Sequence, residues 1–146
     1  MKLLAFFFLL FALLTFSSCG ENDEPNDDIP SGAFRYTGSY QGTTVVDGWI
    51  LFTNTTLESV RGNWHLEQAV ANPPVNLGPQ IGNGTFTGAM TNDGVLALNL
   101  NPGNADNNVG LAGQFQGEPF NSTLTGQWVY VGFAGVISRG DFVARR

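Results

Sequence analysis

Cysteine, histidine and lysine are nearly missing from this chain: one Cys (Cys19), one His (His65) and one Lys (Lys2) among 146 residues. Past residue 31 there is no Cys and no Lys, which excludes disulfides and thiol chemistry from that part. Charge is scarce, at 12%. Glu21, Asp23, Glu24, Asp27 and Asp28 fall before residue 32, and after it seven acids meet five Arg. The net charge of -6 therefore belongs largely to one short segment. No basic patch exists, which argues against nucleic-acid binding. No helical stripe runs ten residues, so long amphipathic helices are excluded. A phosphate loop that opens a helix goes with them.

The chemistry-bearing residues are correspondingly few. His65 falls on the polar side of its segment with Arg61, Asn63 and Glu67. That is an exposed strand residue, where a catalytic pair would need a buried partner to hold the ring. No Ser sits in a nucleophile turn with a paired His. Asn101 to Asn108 reads as a turn and not a Ca²⁺ loop, because Asp106 is its only carboxylate and hard cations take several oxygens. No metal-ligand spacing is present. The expectation is a non-enzymatic protein with no metal and no cofactor.

Lys2 precedes an apolar run from Leu3 to Leu14, followed by Thr15-Phe16-Ser17-Ser18 and Cys19. This is a secretory layout, with an apolar run too short to span a bilayer in the usual way. The small pair before Cys19 resembles a bacterial lipobox, with Phe16 where an aliphatic residue is usual. That resemblance implies a signal peptide over 1–18, cleaved before a lipid-modified Cys19. An ordinary signal peptide with an incidental Cys is the alternative. Residues 19–31 are then an acidic, flexible tether with Pro25 and Pro30. Its 12 residues from Gly20 to Ser31 span roughly 20 Å as a coil. Cys19-Gly20-Glu21-Asn22-Asp23-Glu24 also resembles the acidic signal that sends some Gram-negative lipoproteins to the cell surface. The resemblance implies an outer-membrane, lipid-anchored protein, with surface exposure open against a plain soluble spacer.

Residues 32–146 form the expected folded domain, and their hydrophobic period is two. Phe34, Tyr36, Gly38 and Tyr40 share a face, as do Val60, Gly62, Trp64 and Leu66, and Gly84, Phe86, Gly88 and Met90. Leu96, Leu98 and Leu100 follow the hairpin signal Asn92-Asp93-Gly94. Val109 to Phe115, Leu124 to Tyr130 and Val136 to Ala144 make three more alternating runs, and Val46 to Phe52 a less regular one. Ala69 to Pro79 is the longest piece without strand character, and a short helix is open at Leu57 to Val60 or Glu67 to Ala71. Gly-x-aromatic recurs within six of the expected strands, as in Gly126-Gln127-Trp128 and Gly140-Asp141-Phe142. Side chains alternate along a strand, so each triplet offers one face a gap and then a ring.

Eight strands with short links imply an all-β, antiparallel, up-and-down meander barrel, whose interior is just filled or holds one small ligand. A two-sheet β-sandwich is the alternative. The triplets, with Leu124-Thr125-Gly126-Gln127-Trp128 and the terminal Gly140-Asp141-Phe142-Val143-Ala144-Arg145, resemble meander barrels of the avidin and lipocalin type. They also resemble small Gram-negative barrel lipoproteins of unassigned role. Avidin's ligand set has no counterpart here, and only Gly38-Ser39-Tyr40 stands where lipocalins carry Gly-x-Trp.

Two functions remain open. One is binding of a small apolar or amphipathic ligand in or at the mouth of the barrel, with Trp64, Trp128 and Tyr130 as lining residues, since Trp and Tyr join a large ring to a polar tip. The other is a solid-core structural or adhesion module acting through outer strands and loops. The run Trp49-Ile50-Leu51-Phe52, apolar on both faces, is a candidate contact for a partner or second copy.

Overall fold

A computed structural model describes residues 29–104 and 106–146. The expected signal segment, Cys19 and the tether up to residue 28 lie outside the described residues. Eight strands follow one another: β1 (Phe34–Tyr40), β2 (Thr43–Thr56), β3 (Ser59–Gln68), β4 (Gly82–Met90), β5 (Val95–Asn99), β6 (Asn107–Phe115), β7 (Leu124–Gly132) and β8 (Gly135–Arg145). Each pairs antiparallel with its neighbours in sequence, and β8 returns to β1, so the sheet closes into a barrel. The two-sheet alternative is set aside by that closure. Among the described residues the only helical turn is a 3-10 turn at Gly78–Gln80. Neither segment expected to carry a short helix does so: Ser59–Gln68 is strand, because its period-two face joins the core.

Inside and outside follow the alternation. Phe34, Tyr36, Ile50, Val60, Trp64, Leu66, Phe86, Leu96, Leu98, Leu111, Leu124, Trp128 and Phe142 are buried in one cluster. The wall between them points Asp47, Arg61, Asn63, Glu67, Thr87, Gln127 and Asp141 outward, all exposed. A transmembrane barrel needs an apolar exterior band; on this wall charged and amide side chains are mixed with Trp49, Leu51, Val129 and Val143.

The glycine-ring triplets explain how so many rings fit. Antiparallel pairing runs a Gly-x-aromatic triplet against an aromatic-x-Gly triplet. In β3 and β4, Gly62 stands opposite Phe86 and Trp64 opposite Gly84. In β7 and β8, Gly126 stands opposite Phe142 and Trp128 opposite Gly140. Phe86, Trp64 and Trp128 therefore lie over the glycine of the neighbouring strand, while Phe142 reaches past β7 to Gly113 of β6. A Cβ at Gly62 would lie 2.4 Å from the Phe86 ring, and one at Gly140 2.6 Å from the Trp128 ring. It would also meet a main-chain carbonyl, at 2.0 Å from Leu51 and 2.1 Å from Ser39 respectively. The same missing carbons let the strands bend sharply enough to close.

The barrel has two dissimilar ends. At one, called here the strap end, lie the β1–β2, β5–β6 and β7–β8 links and the Pro-rich segment from Ala69 to Ile81. At the other, the phenyl end, lie the β2–β3, β4–β5 and β6–β7 links. The chain enters β1 at the phenyl end, where the Ala33 amide donates to the Pro30 carbonyl at 3.0 Å.

Candidate functional site

The strap end is closed by its own chain. The segment 69–81 leaves β3 and crosses toward the far wall. The Ser138 hydroxyl on β8 donates to the Asn76 carbonyl at 2.5 Å. Gly78, with φ of +61, rests on the Tyr130 ring of β7, where a Cβ would lie 2.6 Å from the ring. Only glycine takes both that backbone angle and that approach without strain. Leu77 and Gln80 are buried beneath. The Gln80 amide nitrogen donates to the Leu77 carbonyl at 2.8 Å, while its oxygen finds no partner in the protein.

Beside this strap, a groove of about 550 Å³ opens where β3, β4 and the loop after β5 meet. Trp64, Ile81, Asn83, Thr85, Asn101 and Pro102 contribute to its lining, and no charged residue does. Gly84 lies flat on the Trp64 indole, 3.0 Å from a Cβ position to Nε1. The Trp64 N–H donates to the Leu100 carbonyl at 2.9 Å. Trp64 thus forms the floor while its one donor is already satisfied. Asn101 is fixed from both sides: its amide nitrogen donates to the Asn107 carbonyl at 3.1 Å, and its backbone N–H to Asn99 Oδ1 at 2.9 Å. What the groove offers a guest is an indole edge, two prolines, an isoleucine and neutral amide and hydroxyl groups. That is a surface for an uncharged molecule with one apolar side.

The three ring residues singled out in the sequence stand apart. Trp64 borders the groove. Trp128 is fully buried in the barrel centre, its N–H donating to the Ser39 carbonyl at 3.2 Å. Tyr130 is half-buried beneath the strap. His65 lies on the outer wall, 3.0 Å from Glu67 and stacked on Trp49 at 5.9 Å. Trp49 and Leu51 are thus half-covered on the outside, while Ile50 and Phe52 point into the core. No three His, Cys, Asp or Glu side chains gather as a metal site among the described residues.

At the phenyl end, Phe34, Phe52, Phe86, Phe115 and Phe120 meet. Phe52 touches Phe34, Phe86 and Phe120 with centroids 5.4, 5.3 and 5.1 Å away, and Phe115 reaches Phe120 at 5.1 Å. Phe120 sits at φ of +60, a strained region for a bulky residue that costs on the order of 1–3 kcal/mol. The loop holds it there. Glu118 accepts from Asn121 and Ser122, and Arg146 donates to the Phe120 carbonyl at 3.3 Å. Phe52, Phe115 and Phe120 stay half-exposed.

Buried in the centre, Tyr36 stacks on Phe142 at 5.4 Å, and its hydroxyl has no partner among the described residues. Burial pushes its phenol well above the usual range. Sequence reasoning missed the strap, the groove and Phe120. The first lacks any period and the second draws on three separated segments. The third depends on a positive φ that no residue type announces. Comparisons with protein-family models, with curated proteins and with solved structures find no match to this chain.

Proposed function

We propose that this is a non-enzymatic protein of a Gram-negative cell envelope, moored to the outer membrane by acyl chains on Cys19. In this proposal it holds a small amphipathic molecule in the groove beside Trp64. The observation that carries it is the groove's position. It opens at the strap end, opposite the point where residues 29–33 enter the barrel, and so faces away from a membrane on which Cys19 is held. The acidic run after Cys19 supports display on the outer face. Two or three chains on one residue make release negligible, since each buried methylene contributes about 0.8 kcal/mol. The interior is filled with side chains, which directs a guest to the mouth and not the middle.

Native mass spectrometry after exposure to envelope extract tests the binding. A retained mass is expected, together with a raised Tm. A ligand at a hundred times its Kd stabilises by about 2.7 kcal/mol, a shift on the order of 10 °C for a domain of this size. Gly103→Trp fills the groove, because a Cβ there has nothing within 4 Å. It should remove the retained mass while the fold persists. A groove that stays empty and a Tm that no fraction raises would refute the binding.

The filled interior also favours a second proposal, a solid-core module acting through its outer surface. Phe133, Val136 and Ile137 are exposed at the β7–β8 hairpin. Under this alternative, Phe133→Ser abolishes capture of cell-surface material and Gly103→Trp leaves it unchanged.

A further inference from the structure

At the phenyl end Phe52, Phe115, Phe120 and Met90 pack against the core and stay partly exposed, and Leu57, at the tip of the β2–β3 hairpin, is 58% exposed. The chain enters the domain at this same end, through Pro30 and Ala33. Four of the five Arg past residue 31, namely Arg35, Arg61, Arg145 and Arg146, also lie in this half, beside Glu58, Asp93 and Glu118. The strap half carries Glu67 and Asp106 with the fifth arginine, Arg139.

Resting on the anchoring proposed above, we infer that the phenyl end lies flat on the lipid bilayer, with Leu57 and Phe120 in the interface. Three observations choose a bilayer as the occupant. The described chain enters the barrel at this end, so an acylated Cys19 in that proposal is tethered nearest to it. Arginines beside an apolar patch suit lipid phosphates, and Arg61 is exposed at this end while Arg146 braces the Phe120 loop. The exposed groups are aliphatic or phenyl and carry no hydroxyl to position a defined partner. Aromatic and apolar side chains of this kind settle at the headgroup and acyl boundary. The strap end, and with it the groove, is then pointed away from the membrane by contact as well as by tethering.

The test uses the lipidated chain in vesicles of phosphatidylethanolamine and phosphatidylglycerol. Spin labels are placed singly at Leu57→Cys, Phe120→Cys and Phe133→Cys. Phe133 is 90% exposed on the opposite end. Flotation with the vesicles is read first, then the accessibility of each label to oxygen and to a water-soluble nickel chelate. Labels at 57 and 120 should be relaxed at least threefold more by oxygen than by the chelate, and the label at 133 should show the reverse. Leu57 sits in an exposed turn, so its label reports even where Phe120→Cys disturbs the loop. Flotation with all labels in water overturns this orientation alone. Loss of flotation overturns the anchoring and this inference with it.

Discussion

At the scale of single residues, the fold depends on carbon atoms that are not there. Gly140 faces the Trp128 ring, and the Ser39 carbonyl occupies the place of its missing Cβ. Gly140→Ala should therefore lose about 3 kcal/mol by overpacking, measured by chemical denaturation. Gly103→Ala, with open space around it, should stay within about 0.5 kcal/mol of the parent. Tyr36 makes the opposite case. Its buried hydroxyl has no partner, so Tyr36→Phe should stabilise by about 1 kcal/mol. The phenol also sets a pH dependence. Its folded pKa is raised, so the unfolded chain gives up this proton first, near its ordinary value of about 10. Tyr36 thus leaves stability untouched below pH 10, and above it stability falls by up to about 1.4 kcal/mol per unit. Denaturation curves at pH 9 to 11 should show this decline reduced in Tyr36→Phe. The glycine-ring spacing was legible in the sequence because period two assigns both to one face. That Phe86, Trp64 and Trp128 cover glycines of the next strand, and Phe142 a glycine two strands away, needed the register.

At the scale of elements, strands were readable and links were not. All eight strands followed from alternation and turn residues, with Asn92-Asp93-Gly94 closing a hairpin in which Gly94 has φ of +81. The segment 69–81 offered only its prolines, which say what it cannot be. Its role as a stopper depends on Gly78, Leu77 and Gln80 meeting walls far away in sequence, and no local pattern encodes that. One hydroxyl ties it to β8. Ser138→Ala should cost about 1 kcal/mol and speed proteolytic cleavage between residues 69 and 77, while the strands keep their amide protection. Trp64, picked out as a ring with a polar tip, does border the groove. Asn83, Thr85 and Asn101 were not picked out, because neutral side chains near turns carry no signal until three segments are brought together.

At the scale of the whole molecule, closure is the costly step. The β1–β8 seam joins residues about a hundred apart, as in the Ser39 hydroxyl donating to the Asp141 carbonyl at 3.4 Å. Such long-range pairing makes folding slow, on the millisecond-to-second scale. Removing residues 141–146 should leave β1 and residues 124–127 of β7 without their β8 partner. Light scattering should then show aggregation where the complete chain stays monodisperse. In the closed form every strand has two hydrogen-bonded neighbours, but β4 over residues 82–86 runs past β5 and β8 over residues 135–140 runs past β1. An extended peptide finds no edge strand to add to and meets only those short overhangs, one of which borders the groove. The molecule can be crowded shoulder to shoulder at high density and remain a population of separate cylinders, touching the outside world only by side chains and by its two rims.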